Sequence, residues 1–308
     1  MSRFERPLDL GFVRSWFGRH GLAIWFAVVG LLRVSVLVTG EPAFDGRLYL
    51  RATSAWLHGL DPWISIGDQR FAAPPPTLLP LAPIAALPED LGVIVLFMLG
   101  IAGAVATIRL LRLPWWWLLF PPLIDAVWNA NPQALLIPLI LLGAGPIATL
   151  LKVYAVAPIA LTGRWRALLL SLALLLLTAP VLPWASYIDH AAELWAVLAR
   201  QSDGGLSATA VPWLLPVAII ALVFCGRERA AWLAVPVLWP STQWYYSTIA
   251  MPALTPIAAA LMAVPIPGVV VLAAVAVALE CRDSDAFRLM TRLWRFTGSP
   301  SRSPDRPS

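Results

Sequence analysis

Long apolar runs, separated by only short polar breaks, are the feature that most restricts how this chain can fold. Hydrophobic residues make up 59% of its 308 residues and charged residues only 13%, and mean hydropathy is +0.77. Soluble globular domains carry about twice this share of charged residues. Because successive apolar runs of this kind are buried in lipid as helices, the sequence predicts an all-α polytopic integral membrane protein.

The first apolar run, from Gly21 to Val38, has about the length that crosses one bilayer as a helix, and four arginines precede it. Basic residues before the first span favour a cytoplasmic segment at residues 1–20 and a retained anchor. Later apolar segments are short or interrupted by proline, so we expect about nine to eleven spans, some of them broken or re-entrant. These segments are 75–88, 91–111, 114–127, 133–145, 146–162, 167–183, 209–225, 231–242, 245–263 and 266–280.

The arrangement of charge predicts one transmembrane domain, residues 21–280, with two outward-facing loops at 40–74 and 184–208. Residues 281–308 form a polar Ser/Pro/Arg-rich tail that we expect to be partly disordered. The net charge of +5 comes from arginines at span ends and in the tails. We therefore expect contact with membrane lipids, not nucleic acid, and multi-pass location in the cell membrane.

The polar loop 40–74 is the first place to look for chemistry. A short amphipathic helix at the membrane surface is predicted after Phe44, with Arg47, Arg51, Ser54 and His58 along one stripe. Asp45 stands at the start of this helix. It either caps the helix by accepting backbone N–H bonds or serves as a general base at the boundary between water and lipid.

Two basic residues lie within apolar runs, where an unpaired charge is costly. Arg33 lies inside the first span and either extends toward the headgroups or holds a lipid phosphate. Lys152 lies at least ten residues from the nearest polar boundary, at Arg164, and is the stronger candidate for phosphate binding.

Two further clusters of polar or aromatic residues interrupt the apolar runs. The segment DAVWNANPQ is either a polar turn, which we favour for Asp125, or a hydrogen-bonding patch for a sugar or headgroup, which stays open for Asn131 and Gln133. The segment from Trp244 to Tyr246 is either an interfacial aromatic belt or a surface on which a sugar ring stacks. His58 and His190 are predicted to be solvated. The two cysteines show no disulfide or metal-ligand spacing.

The order of several fragments resembles glycosyltransferase family 87, which comprises polyprenol-phosphate-mannose-dependent mannosyltransferases of the GT-C superfamily. The fragments are Asp45-x-x-x-Tyr49, Gly59-x-Asp61-Pro62-Trp63, Phe71, Pro74-Pro75-Pro76, Asn131-x-Gln133, Lys152 with Pro158 and Arg164-Trp165-Arg166, and Pro240-Ser241-x-x-Trp244-Tyr245-Tyr246. Together they fall across most of residues 30–260.

The resemblance implies a GT-C-like bundle that transfers a sugar, expected to be mannose, from a polyprenol-phosphate donor to a lipid or glycan acceptor on the outer face. It implies inversion at the anomeric carbon, no cofactor and no required metal, with Asp45 as the catalytic base. The substrate-binding residues it implies are Arg33, Arg47, Tyr49, Arg51, Asn131, Gln133, Lys152, Trp244, Tyr245 and Tyr246. Two alternatives stay open: a lipid or solute transporter, and a catalytically silent GT-C-like protein that supports envelope assembly.

Overall fold

The computed structural model describes residues 10–64, 70–200, 206–240 and 243–280, and these residues form helices and no strand. Within these ranges, two helices are long and apolar enough to cross a membrane: α1 (Leu10–Leu37), over its stretch His20–Leu37, and α4 (Glu89–Leu110). The predicted tail, 281–308, and the first nine residues of the N-terminal segment lie outside the described residues.

Two short helices lie between these two long helices in the described part of the chain. Helix α2 (Phe44–Leu57) occupies the position where the amphipathic helix is predicted, and α3 (Leu78–Ala85) follows a 3₁₀ turn at Pro75–Thr77. Tyr49, Leu50, Ala52 and Thr53 in α2 are buried, whereas Arg51 on the predicted polar stripe is partly exposed. Helix α2 packs against both α3 and α4.

The later apolar runs fold into helices that are shorter than a typical membrane span, because proline and glycine divide them. Gly143, Gly163 and Gly226 all have positive φ, and each ends one helix shortly before the next begins. These helices are α5 (Pro121–Trp128), α6 (Leu136–Leu141), α7 (Gly145–Leu151), α8 (Val156–Leu161), α9 (Trp165–Thr178), α10 (Trp184–Arg200), α11 (Leu215–Cys225), α12 (Arg227–Leu238), α13 (Pro256–Met262) and α14 (Val269–Glu280).

The predicted number of about nine to eleven spans is therefore not seen as a set of continuous long helices. Besides α1 and α4, the described chain has four shorter apolar helical stretches: Pro132–Leu141, Trp165–Thr178, Pro212–Cys225 and Val269–Glu280. Several neighbouring short helices are joined by 3₁₀ segments, such as Val153–Ala155 between α7 and α8. Lys152, which directly precedes this 3₁₀ segment, is buried.

The region 184–208, which was predicted as an outward-facing loop, is helical over most of its described length. Helix α10 occupies Trp184–Arg200. Leu194 on this helix is buried, whereas Ile188 is 65% exposed. Polar and apolar residues alternate here at helical spacing, which explains both the helix and its two-sided character.

The core joins α1 to the later helices mainly through aromatic and small residues. Phe26 in α1 is completely buried and packs against Trp117 and Phe120, with ring centroids 5.3 and 5.1 Å away. A 3₁₀ helix at Trp244–Ala253 packs against both α5 and α12. This packing brings the DAVWNANPQ segment, the aromatic segment from Trp244 to Tyr246 and the start of α2 together.

Candidate active site

The first turn of α2 is held against the end of α5 by backbone hydrogen bonds. The N–H of Ala43 donates to the Trp128 carbonyl and the N–H of Gly46 donates to the Asn129 carbonyl, both at 2.9 Å. Ala43 and Ala130 have left-handed backbones, with φ of 55° and 49°. Asp45 lies between these two anchoring bonds, so the backbone of α5 and its following turn fixes its position.

Gly46 is required by the closeness of this contact. A Cβ placed on Gly46 would lie only 2.8 Å from the Cβ of Ala130. Glycine therefore permits an approach of two backbones that any side chain would prevent.

The Asp45 carboxylate is directed away from its own helix. Its Oδ2 accepts a hydrogen bond of 2.7 Å from Asn131 Nδ2. The N-terminus of α2 has no side-chain capping bond, so the structure does not show the capping interaction that was the alternative for Asp45. Asn131 is itself fixed, because its Oδ1 accepts from the Gln133 N–H at 2.9 Å.

Asp45 is half-buried, and the protein around it changes its acidity. Burial raises the pKa of the Asp45 carboxyl above its usual range, since the charged form loses hydration. The Asn131 hydrogen bond, the charge of Lys152 and the Tyr245 hydroxyl oppose this rise. The pKa of Asp45 is therefore raised, and Asn131, Lys152 and Tyr245 still stabilise its ionised form.

Lys152 is buried at a break between helices. Its extended backbone, with φ of −146°, separates α7 from the 3₁₀ turn Val153–Ala155. The ammonium group contacts the Tyr49 hydroxyl and lies 4.8 Å from the Tyr49 ring and 5.7 Å from the Tyr246 ring. Two aromatic rings and a nearby carboxylate therefore stabilise this buried cation.

A second layer of hydrogen bonds supports these groups. Gln133 Oε1 accepts from the Tyr154 hydroxyl, and Gln133 Nε2 donates to Thr248 Oγ1 at 3.1 Å. Thr248 in turn donates to the Tyr245 carbonyl at 2.8 Å. Gln133 was predicted to bind substrate, but the structure places it in this buried support. Sequence reasoning missed Tyr154 and Thr248, although they lie two residues after Lys152 and Tyr246, respectively.

Asp45 lies between two cavities. The larger, of about 410 Å³, is lined by Lys152, Tyr49, Tyr246 and a largely apolar wall that includes Trp184 and Leu194. The smaller, of about 290 Å³, is lined by polar groups of α1, α5 and the turn after α5, and by apolar residues that include Leu206 and Pro265. Asp45, Gln243 and Tyr245 line both cavities.

Arg33 and Asp125 form an ion pair in the wall of the smaller cavity, with Arg33 Nε 2.9 Å from Asp125 Oδ1. Asp125 was expected to belong to an ordinary polar turn, and Arg33 to hold a phosphate or extend to the headgroups. The pairing corrects both expectations, because each charge neutralises the other. The ring of Trp244 lies 5.3 Å from the Arg33 guanidinium and is buried, so it is not an open stacking surface.

Arg47 and Arg51 do not join the Asp45 cluster. Arg47 forms ion pairs with Glu41, Glu89 and Asp90, and Arg51 lies 2.8 Å from Glu89. These pairs link the outer side of α2 to the start of α4. The prediction that Arg47 and Arg51 bind substrate is therefore not supported by their positions.

A polar link between the first loop and α10 was also missed. Asp61 Oδ2 accepts from Ser186 Oγ at 2.6 Å and lies 3.1 Å from His190 Nε2, and Arg70 pairs with Glu193. His190, which was predicted to be solvated, is thus partnered, whereas His58 is exposed as expected. The Gly-x-Asp-Pro turn marked Asp61 in the sequence, but nothing local indicated its partners.

Among the described residues, no group of three His, Cys, Asp or Glu side chains is arranged to hold a metal ion. Comparison with known proteins finds no matching family model, no matching curated protein and no matching solved structure.

Proposed function

We propose that this protein is a multi-pass membrane glycosyltransferase that uses a polyprenol-phosphate sugar, with Asp45 as its general base. The observation that carries the proposal is the position of Asp45 between two cavities, one of which contains the buried cation Lys152. The resemblance of the ordered sequence fragments to glycosyltransferase family 87 supports the same activity. Mannose is the sugar favoured by that resemblance, and the outer face of the cell membrane is the side favoured by the charge pattern.

The larger cavity is suited to the donor. Its aromatic and aliphatic wall, which includes Phe71, Trp184 and Trp239, offers an apolar surface to a polyprenyl chain. Lys152 offers a positive charge to the phosphate. No other cation but Arg70 lines this cavity in the described part of the chain, and Arg70 is paired with Glu193.

The reaction places each group in a defined role. The acceptor hydroxyl oxygen attacks the anomeric carbon, and the bond between that carbon and the phosphate oxygen breaks. The hydroxyl proton passes to Asp45, and the departing phosphate keeps the electron pair of the broken bond beside Lys152. Because attack and departure occur on opposite faces of the sugar, the anomeric configuration inverts.

A reconstitution experiment tests this function. Purified full-length protein in proteoliposomes should transfer labelled mannose from mannosyl-phosphopolyprenol to a glycolipid acceptor. It should not use a nucleotide sugar. Flux of the donor or another solute across acceptor-free proteoliposomes, without any transfer when the acceptor is added, would instead identify a transporter.

A further inference from the structure

Asp125 and Asn129, two polar residues of DAVWNANPQ, line the smaller cavity beside Asp45 and do not line the donor cavity. Resting on the proposed function, we infer that this cavity binds the acceptor through an uncharged, hydroxyl-rich headgroup, a sugar or a polyol, and that it excludes an anionic headgroup.

The charge balance of the cavity wall is the first argument. Arg33 is the one cation among the described lining residues, and two of its nitrogens contact the same oxygen of Asp125, at 2.9 and 2.5 Å. Asp125 is buried, and Asp45 adds a second carboxylate to the wall. An anionic headgroup would therefore meet no uncompensated positive charge in this cavity.

The hydrogen-bonding groups are the second argument. Asn129 Nδ2 donates to the Asp125 carbonyl at 2.9 Å, and the Asn129 side-chain oxygen makes no hydrogen bond to another described residue. Amide, guanidinium and carboxylate groups together present both donors and acceptors, as hydroxyl groups do. A headgroup with several hydroxyls can match them without adding charge.

The position of the cavity is the third argument. Asp45, Tyr245 and Gln243 line both cavities, so a hydroxyl presented from the smaller one reaches the carboxylate that also borders the donor cavity. A volume of about 290 Å³ is small for a whole lipid but lies near the lower end of ligand pockets. The cavity thus suits a headgroup whose lipid or glycan remainder lies outside it.

Binding measurements in nanodiscs of zwitterionic lipid test the inference with two probes, a neutral alkyl mannoside and dodecyl phosphate. The wild-type protein should bind one equivalent of dodecyl phosphate above empty nanodiscs, and Lys152→Gln should remove it. Asn129→Leu should weaken alkyl mannoside binding by about tenfold, the effect of one lost buried hydrogen bond, and leave dodecyl phosphate binding unchanged.

A change of charge provides the opposite test. Asp125→Asn frees the Arg33 charge, so this variant should bind a second equivalent of dodecyl phosphate, which Arg33→Gln in the same background should abolish. Two equivalents on the wild-type protein, with one lost in Arg33→Gln, would overturn the inference. So would alkyl mannoside binding that Asn129→Leu leaves unchanged.

Measurements of transfer and of binding distinguish a failure of the proposed function from a failure of the inference about the acceptor. Asp45→Asn should stop transfer and keep alkyl mannoside binding within about twofold of the wild-type value. Persistent transfer in Asp45→Asn would refute the general base without affecting the binding result. Normal dependence of transfer on Asp45, combined with phosphate-selective binding at Arg33, would refute only the acceptor class.

Discussion

The Asn131 side chain donates a hydrogen bond of 2.7 Å to Asp45 Oδ2, although the two residues are 86 positions apart in the sequence. This bond stabilises the ionised carboxylate and opposes the rise in pKa that burial causes. A general base acts only when it is deprotonated, so the transfer rate should increase with pH as Asp45 ionises, above its ordinary pKa of 3.8.

Asn131→Ala removes this opposing bond, so the pKa of Asp45 should rise further and the acidic limb of the pH–rate profile should move to higher pH. The profile of kcat/KM between pH 4 and pH 8 measures the shift. A lower rate at every pH, with the acidic limb in its original place, would show that Asn131 supports the fold and does not tune the base.

The contact between Gly46 and Ala130 predicts a pair of compensating substitutions. Gly46→Ala brings a Cβ to 2.8 Å from that of Ala130, which should displace the start of α2 and lower transfer by about tenfold or more. Ala130→Gly removes the opposing methyl group and suits the positive φ at that position. The double variant should therefore recover most of the activity that Gly46→Ala loses.

Gly40→Ala is the matched control for this pair, because its new Cβ would meet only an ordinary contact of 3.6 Å. It should leave transfer near the wild-type rate. Equal losses in Gly46→Ala and in the double variant would show that the closeness of the two backbones is not what positions Asp45.

The attachment of α10 to the first loop should depend on pH through Asp61. Partial burial raises the pKa of Asp61, but bonds from Ser186, the Trp63 N–H and His190 outweigh it, so the pKa lies below the ordinary 3.8. A lowered carboxyl pKa stabilises the folded protein fully above that ordinary value, and the contribution is lost as pH falls through the folded pKa.

Apparent melting temperature, measured from pH 6 down to pH 3, should fall more steeply for wild type than for Asp61→Asn. Asp189→Asn, an exposed change on the same helix, serves as the control and should follow the wild-type curve. If the melting temperatures of wild type and Asp61→Asn fall in parallel with pH, Asp61 does not hold α10 to the first loop.

Lys152 and Arg51 are both basic residues near Asp45 and α2, but their substitution should have different effects on sugar transfer. Lys152→Gln should reduce transfer strongly and weaken donor binding, because Lys152 is buried in the donor cavity. Arg51→Gln breaks only a partly exposed pair with Glu89, of a kind worth about 0–1 kcal/mol, and should change transfer by less than about twofold. A large loss of transfer in a normally folded Arg51→Gln variant would indicate that Arg51 does bind the substrate.

Local pattern was enough to predict α2 and to single out Asp45, because helical periodicity and an isolated acid are visible within a few residues. It did not reveal α10, whose charged residues resemble those of a loop until its apolar face is placed against Trp63 and the larger cavity. Proline within the later apolar runs predicted broken helices, but the positions of individual breaks, such as the one at Lys152 between α7 and α8, were not predicted.

Long-range pairing was the harder part of the site. The ion pair between Arg33 and Asp125 joins residues 92 positions apart, and the contact between Lys152 and Tyr49 joins residues 103 positions apart. A single charge in an apolar run indicates that a partner is needed, but only packing determines which one. For that reason only a lipid phosphate or the headgroup region was considered as the partner of Arg33, and the role of Asp125 went unrecognised.

The rate of sugar transfer by Asp45→Asn, relative to wild type, tests the central claim most directly. The substitution keeps the size of the side chain and removes its ability to accept a proton. With mannosyl-phosphopolyprenol and a glycolipid acceptor in proteoliposomes, the single-turnover rate should fall by about 100- to 10,000-fold while both substrates still bind. A rate within about twofold of wild type would contradict the assignment of Asp45 as the general base.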